Sequence, residues 1–306
     1  MSRVRSIFTS SYNNNHISGD IIMGLEKKKV LIIGSRGRLG LDLFRLLDKS
    51  CLECHAPTSK ELDITNSGDI FSYVYKIKPD IIVNSAGLTN VDRCEKEREK
   101  AIRVNSIGQR FIAVACREVG AKCVYFSTDY IFDGAKKRPY EEDDITNPLS
   151  FYGKTKLMGE AYTQMETENY LIVRSSWFFS KRGSNFINAL LKAMKEQQEM
   201  RVIYDQVSCP TFTEDLAMAV KRLMDSGSTG IFNITNSGCC TWIEFGQKIL
   251  DFYRSKLSLI PIPIEAMARV ATRPRYSVLN NSKLKRVADI VLPNWQSGLN
   301  RALEGR

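Results

Sequence analysis

At Val30 the chain changes abruptly from polar to a short apolar run, Val30-Leu31-Ile32-Ile33, the kind of strand a parallel sheet buries on both faces. Gly34-Ser35-Arg36-Gly37-Arg38-Leu39-Gly40 follows at once, and Leu39, Leu43, Leu46 and Leu47 then recur at helical spacing. The order is strand, glycine turn, helix. Ile81-Ile82-Val83 running into Asn84-Ser85-Ala86-Gly87 reads as a second buried strand entering a polar loop, and Cys123-Val124-Tyr125-Phe126 before Ser127-Thr128-Asp129 as a third. Between them Glu95 to Val119 has the length and charge pattern of one helix with an exposed face. Pro148 precedes a helix carrying Tyr152 and Lys156, and Leu171-Ile172-Val173 is a further strand ending at Arg174-Ser175-Ser176-Trp177. This alternation predicts an α/β fold with a doubly wound parallel sheet, its ligands held by polar residues at the C-terminal strand ends.

Beyond Trp177 the alternation weakens, and Asp205-Gln206-Val207-Ser208-Cys209-Pro210-Thr211 and Pro261-Ile262-Pro263 punctuate the chain. The expected organisation is a disordered extension over 1–26, a cofactor-binding domain over 27–176 with later chain returns, and a smaller substrate-binding lobe over 177–306, interleaved with it. Residues 1–26 lack the apolar segment of a signal peptide, and Met23 is a second candidate start.

Composition narrows the partners. A formal charge of +10 and a pI near 9.2 favour phosphate-bearing ligands, but the Lys and Arg residues are scattered, with no basic run interleaved with aromatics to form a nucleic-acid groove. Only His16 and His55 are present, in no spacing suited to a metal site or a histidine relay. Cys51 and Cys54 form a C-x-x-C pair without the second pair a zinc ribbon needs, so buried free thiols in a reducing cytoplasm are expected for the eight cysteines. No apolar run reaches the roughly 18 residues of a membrane span.

The glycine turn stands where a dinucleotide site needs it. Glycines permit close backbone approach, and the helix start offers free N–H groups to a pyrophosphate. Its spacing is G-x-x-G-x-x-G, a variant of the commoner dinucleotide pattern. On a helix, Tyr152 and Lys156 share one face, where an ammonium beside a phenol favours its ionised form and a proton can move near neutral pH. Taken alone, the pair also reads as an ordinary surface spacing, and Asn84 and Thr128 as caps or turn residues.

Together these residues resemble the extended short-chain dehydrogenase/reductase superfamily and, within it, the dTDP-4-dehydrorhamnose reductases. The narrower resemblance rests on Ser127-Thr128-Asp129-Tyr130-Ile131-Phe132-Asp133-Gly134, Tyr152-Gly153-Lys154-Thr155-Lys156, Asp205 through Thr211, and Arg273-Pro274-Arg275-Tyr276-Ser277-Val278-Leu279, within a span from about Val30 to Leu284. It implies a Rossmann-type domain and reduction of the C4 keto group of dTDP-4-dehydro-β-L-rhamnose by NADPH. Tyr152 would give the proton, Lys156 would hold the cofactor ribose and lower the Tyr152 pKa, and Thr128 would donate to the same carbonyl oxygen.

The resemblance also places Gly34, Arg36, Gly37, Arg38, Leu39, Gly40, Asp63, Ile64, Ser85, Ala86, Gly87 and Asn105 at the cofactor. Asn105 reads equally as a structural polar residue. Asp129, Tyr130, Trp177, Asp205, Gln206, Pro210, Thr211 and Arg273 fall to the sugar nucleotide or its lobe, Arg273 as a bidentate diphosphate partner. Ser208 stands where the family often has glycine. His55 to Lys60 offers no carboxylate for a ribose 2′-hydroxyl, whereas Arg36 and Lys60 suit a 2′-phosphate, so NADPH is expected over NADH. No metal is assigned, although some members use magnesium in dimerisation, and a homodimer is admitted. Two other assignments stay open: a related nucleotide-sugar reductase such as GDP-L-fucose synthase, and a non-catalytic subunit like that of methionine adenosyltransferase.

Overall fold

The computed structural model describes residues 28–51, 53–182 and 185–304; the extension expected over 1–26 lies outside them. The predicted strands form β1 (Lys29–Ile33), β3 (Ile81–Asn84), β4 (Lys122–Phe126) and β5 (Tyr170–Arg174), with β2 (Glu53–His55) at one edge and Gly230–Asn233 at the other. All pairs are parallel, and the sheet runs Gly230–Asn233, β5, β4, β3, β1, β2. Because the chain leaves β1 for one side and returns on the other as β3, the crevice between the ends of β1 and β3 is the topological switch point where such sheets bind ligands.

The apolar runs are buried on both faces, as their continuity requires. Val30, Ile32, Val83 and Val124 pack with α1 (Arg38–Leu47) and α8 (Thr213–Asp225), while Leu31, Ile33, Ile82 and Cys123 pack with α2 (Ser67–Ile77) and α5 (Gly108–Val119). A third core joins α7 (Asn185–Glu196), α9 (Trp242–Tyr253) and the helix Trp295–Glu304 around Phe179 and Phe212. The chain after Trp177 thus divides between this core and the main sheet, to which it returns as Gly230–Asn233.

One expected element differs. The helix read over Glu95 to Val119 is four pieces: α3 (Val91–Lys96), α4 (Arg98–Ile102), a π-turn at Arg103–Ile107, and α5. Asn90 caps α3 through the Arg93 N–H at 2.9 Å, and Glu97 leaves helical geometry at φ −112, ψ 54. The π-turn widens the backbone where Asn105 turns inward. The expectation of buried cysteines also needs correcting: Cys51 and Cys54 are half-buried and Cys239 is exposed. No described helix is long and apolar enough to cross a membrane.

Candidate active site

The site lies where the strands end. Gly34 turns the chain out of β1 at φ +82; a Cβ there would lie 2.6 Å from the Ala86 nitrogen, and one at Gly40 would lie 2.1 Å from the Gly34 carbonyl oxygen. Both positions therefore demand glycine, and the turn, the start of α1 and the loop after β3 close together with bare backbone between them. The cleft so formed, about 390 Å3, is lined by Gly34, Arg36, Gly37, Asp63, Ile64, Ala86 and Gly87, with Thr58 and Lys60.

Other residues expected at the cofactor support this cleft from behind. Leu39 packs into the core, and the Ser85 hydroxyl donates to the Ile33 carbonyl at 2.8 Å. Asn105 is spent internally: its Oδ1 accepts from the Leu88 N–H at 2.8 Å, and its Nδ2 donates to the Leu88 carbonyl at 3.0 Å and to Thr155 at 3.1 Å. It fixes the loop after Gly87 to the helix carrying Lys156, and its plainer structural reading is the one this geometry fits. Arg38 lies outside this cleft and faces the next one.

That second cleft, about 240 Å3, opens at the ends of β4 and β5 and gathers Thr128, Asp129, Tyr130, Tyr152 and Trp177. Helix α6 (Phe151–Glu166) begins at Ser150, whose hydroxyl accepts from the Gly153 N–H at 3.1 Å, so Tyr152 sits in its first turn and Lys156 one turn later. Burial pushes the Tyr152 phenol above the usual tyrosine range, the neighbouring Thr128 hydroxyl offsetting part of the rise. Burial likewise brings the Lys156 ammonium down to about 7, with Glu160 and Cys94 pulling it back up. Its Nζ lies 4.0 Å from the ring centre of Tyr125, a cation–π contact beneath the site. The direction for the half-buried Tyr152 phenol is thus opposite to the lowering that the resemblance implies.

Thr128 and Asp129 are tied together. The Thr128 hydroxyl donates to Asp129 Oδ1 at 3.1 Å and accepts from the Tyr130 N–H at 3.2 Å. Asp129 Oδ2 accepts from Ser208 at 3.1 Å and Ser277 at 2.5 Å, so Ser208 earns its place by gripping this carboxylate. Burial raises the Asp129 pKa to about 6 against these hydroxyl donors. Both of its oxygens serve the protein, which makes it an orienting group for Thr128.

Trp177 is held at φ +43, a left-handed backbone that costs an aromatic residue about 1–3 kcal/mol. Its indole stacks on Trp242 at 3.7 Å and 15°. Trp177 Nε1 and the hydroxyls of Ser127 and Ser175, all lining the cleft, are buried with no hydrogen-bond partner among the described residues. Buried polar groups are seldom left so, and a polyhydroxylated ligand would satisfy them.

Asp205, Gln206 and Arg273 stand elsewhere. Asp205 accepts from the Ile264 N–H at 2.8 Å and pairs with Arg275 at 3.3 Å. Gln206 is fully buried between Tyr130, Trp242 and Pro274. Arg273, expected at a diphosphate, instead clasps Asp92 at 2.7 and 3.2 Å, which uses its bidentate face and draws that carboxylate down to about 2. Arg273 does line a third cleft, about 550 Å3, with Arg269 and Arg275. Among the described residues no group of three His, Cys, Asp or Glu side chains is placed to hold a metal ion. Tyr125, Trp242 and Arg269 escaped sequence reasoning, since each is an apolar-run, helix-start or loop residue whose position depends on chain far away.

Comparison with known proteins agrees with this geometry. The profile of the family described as RmlD substrate binding domain matches residues 28–305. The chain is 38% identical over 278 residues to the spore coat polysaccharide biosynthesis protein SpsK of Bacillus subtilis, covering 91% of this chain and 98% of that protein. It is 36% identical over 291 residues to the dTDP-4-dehydrorhamnose reductase of Salmonella typhimurium, covering 90% and 96%. The crystal structure of dTDP-4-dehydrorhamnose reductase from Bacillus anthracis in complex with NADP superposes with a TM-score of 0.89 at 36% identity, over 92% of this chain and 100% of that one.

Proposed function

The chain belongs to the RmlD substrate binding domain family, and on that premise we propose that it reduces the C4 keto group of dTDP-4-dehydro-β-L-rhamnose to give dTDP-L-rhamnose, with NADPH as reductant. The observation that carries this reading is the meeting of Thr128, Tyr152 and Trp177 in one cleft, with Lys156 one helical turn from Tyr152.

The first cleft fits the cofactor. Its glycine turn leaves no room for a Cβ, and Arg36, Thr58 and Lys60 line it while no carboxylate ends β2. Glu61 is turned onto the Thr58 N–H at 2.7 Å. Gly34, Gly37, Ala86 and Gly87 would hold the dinucleotide, and Arg36 and Lys60 its 2′-phosphate; when bound, NADPH supplies the hydride. Lys156 would hold the cofactor ribose through its ammonium. Tyr152, kept protonated by burial, delivers its phenolic proton to the C4 oxygen. Thr128 has one hydroxyl proton, given to Asp129 in this structure; turning it to the substrate oxygen lets it stabilise developing alkoxide charge. Trp177, Ser127 and Ser175 line the sugar's place, and the third core with its α7 and α9 forms the substrate lobe. We place its action in the cytoplasm, with a homodimer as the proposed assembly; no described helix is long and apolar enough to cross a membrane.

Incubation with NADPH and either dTDP-4-dehydrorhamnose or a GDP-4-keto sugar, followed by product analysis, tests the proposal. Turnover confined to the GDP sugar would overturn the substrate.

A further inference from the structure

The amide of Gln206 is oriented twice over. Trp242 Nε1, which can only donate, lies 3.1 Å from Gln206 Oε1; the Pro274 carbonyl, which can only accept, lies 3.2 Å from Nε2. Neither contact survives exchange of the amide's oxygen and nitrogen, so its direction is settled by chemistry. The same Nε2 lies 3.1 Å from the Tyr130 hydroxyl. Tyr130 Oη therefore accepts from Gln206, and its own proton must point elsewhere. Among the described residues no acceptor takes it.

The surroundings of that proton are cationic. The Gln206 amide that meets Tyr130 also meets Pro274, which stands between Arg273 and Arg275, and these two line the third cleft with Arg269. Arg273 is neutralised by Asp92, and Arg275 is engaged by Glu265 and Asp205. Arg269 makes no ion pair among the described residues, although it is half-buried in the third cleft. Asp133 and Glu265 also line that cleft, but Asp133 is taken by Tyr140 and Asn147 and Glu265 by Arg275. An uncommitted hydroxyl proton at the wall of a cleft that holds an unpaired guanidinium is a setting for an anionic oxygen.

We infer that Gln206 is a positioning residue whose amide, locked by Trp242 and Pro274, makes the Tyr130 hydroxyl a donor to a phosphoryl oxygen of the sugar nucleotide that also meets the arginine-lined third cleft. This rests on the nucleotide-sugar reading above and gives Gln206, expected at the sugar nucleotide or its lobe, a role exerted through Tyr130. A polarity inversion tests it. In Gln206→Glu the near-isosteric carboxylate accepts from Tyr130 and withdraws the proton from the ligand; in Gln206→Met the hydroxyl is left unoriented.

The experiment is a double-mutant cycle on the full chain with Tyr130→Phe. KM for the dTDP sugar is expected to rise about tenfold in Gln206→Glu, less in Gln206→Met, with the change concentrated in KM and NADPH affinity preserved. Tyr130→Phe should raise KM similarly, and Gln206→Glu added to it should do nothing more. Calorimetric titration of the NADP-loaded proteins with dTDP, and with GDP in parallel, reads the same cycle without turnover. Coupling in binding without any reduction would sink the proposed activity but keep this assignment. Active wild-type enzyme with additive or absent effects in the cycle would overturn the assignment, and Gln206→Met decides should Gln206→Glu fail to fold.

Discussion

Lys156 carries a buried charge that sets two pH dependences of opposite kind. Its ammonium is favoured only below about 7, against an ordinary lysine value of 10.5. Between those values the unfolded chain binds a proton that the folded one does not, so folding gains stability from this group as pH rises through that window; below about 7 the full cost of burying the ammonium remains. Cofactor-free Lys156→Met should therefore melt above wild type at pH 6, and that advantage should shrink by pH 9 in thermal melts. Cofactor binding runs the other way. NADPH affinity should fall as pH rises above about 7 in wild type and stay flat in Lys156→Arg, whose guanidinium keeps its charge. At Thr128, replacement by Val removes the donor and should lower kcat by about 10²-fold with little change in NADPH affinity, measured by steady-state kinetics and cofactor titration. These residues were legible in the sequence because their chemistry is local: Tyr152 and Lys156 share a helix turn, and Thr128 ends a strand. The partners of Gln206 could not be read there, since Tyr130 and Pro274 lie 76 and 68 residues away.

Helix α6 can bring Tyr152 and Lys156 to the sheet only because its inner side is nearly bare at Gly159. A Cβ there would lie 2.2 Å from the Tyr125 hydroxyl and 2.6 Å from the Asn105 carbonyl oxygen. Tyr125 in turn donates to that carbonyl at 3.1 Å, linking β4, the π-turn and α6 beneath the Lys156 ammonium. Gly159→Ala should push α6 away and destabilise the protein by about 1–3 kcal/mol in urea unfolding, with cofactor affinity falling as well. Tyr125→Phe in the same chain, by removing the clashing hydroxyl, should restore part of that loss, so the pair is non-additive. Hydrophobic periodicity saw neither this contact nor the break at Glu97. It reports which residues face inward, and an inward-turning Asn105 on a π-turn carries no periodic signature. The central strands were legible because both of their faces are apolar; the edge strand Gly230–Asn233, short and opened by glycine, was not.

The six-stranded sheet places two clefts at one end, and the division of labour between them decides which reductant and which sugar meet. The glycine turn and the return of β3 beside β1 build the first cleft from chain-local signals, which is why the cofactor end could be read from sequence. The second cleft joins Thr89 and Asn90 to Thr128, Tyr152 and Trp177, with Trp242 stacked behind Trp177, so its composition followed only from folding. Cofactor choice is the property this architecture exposes most directly. Arg36 sits on the turn after β1 and Lys60 on the loop after β2, both lining the first cleft, so both cations can meet a single phosphate on the adenosine ribose. A charge-assisted contact contributes about 1.5–3 kcal/mol, enough for tenfold or more in affinity. Arg36→Ala with Lys60→Ala should thus raise KM for NADPH by about 10²-fold and leave KM for NADH nearly unchanged. High salt should weaken NADPH more than NADH in the wild type and alike in the double variant, because the 2′-phosphate is the ionic group that NADH lacks. Equal losses for both cofactors would mean that these cations serve the shared pyrophosphate or the fold, and the discrimination would then have to arise elsewhere in the cleft.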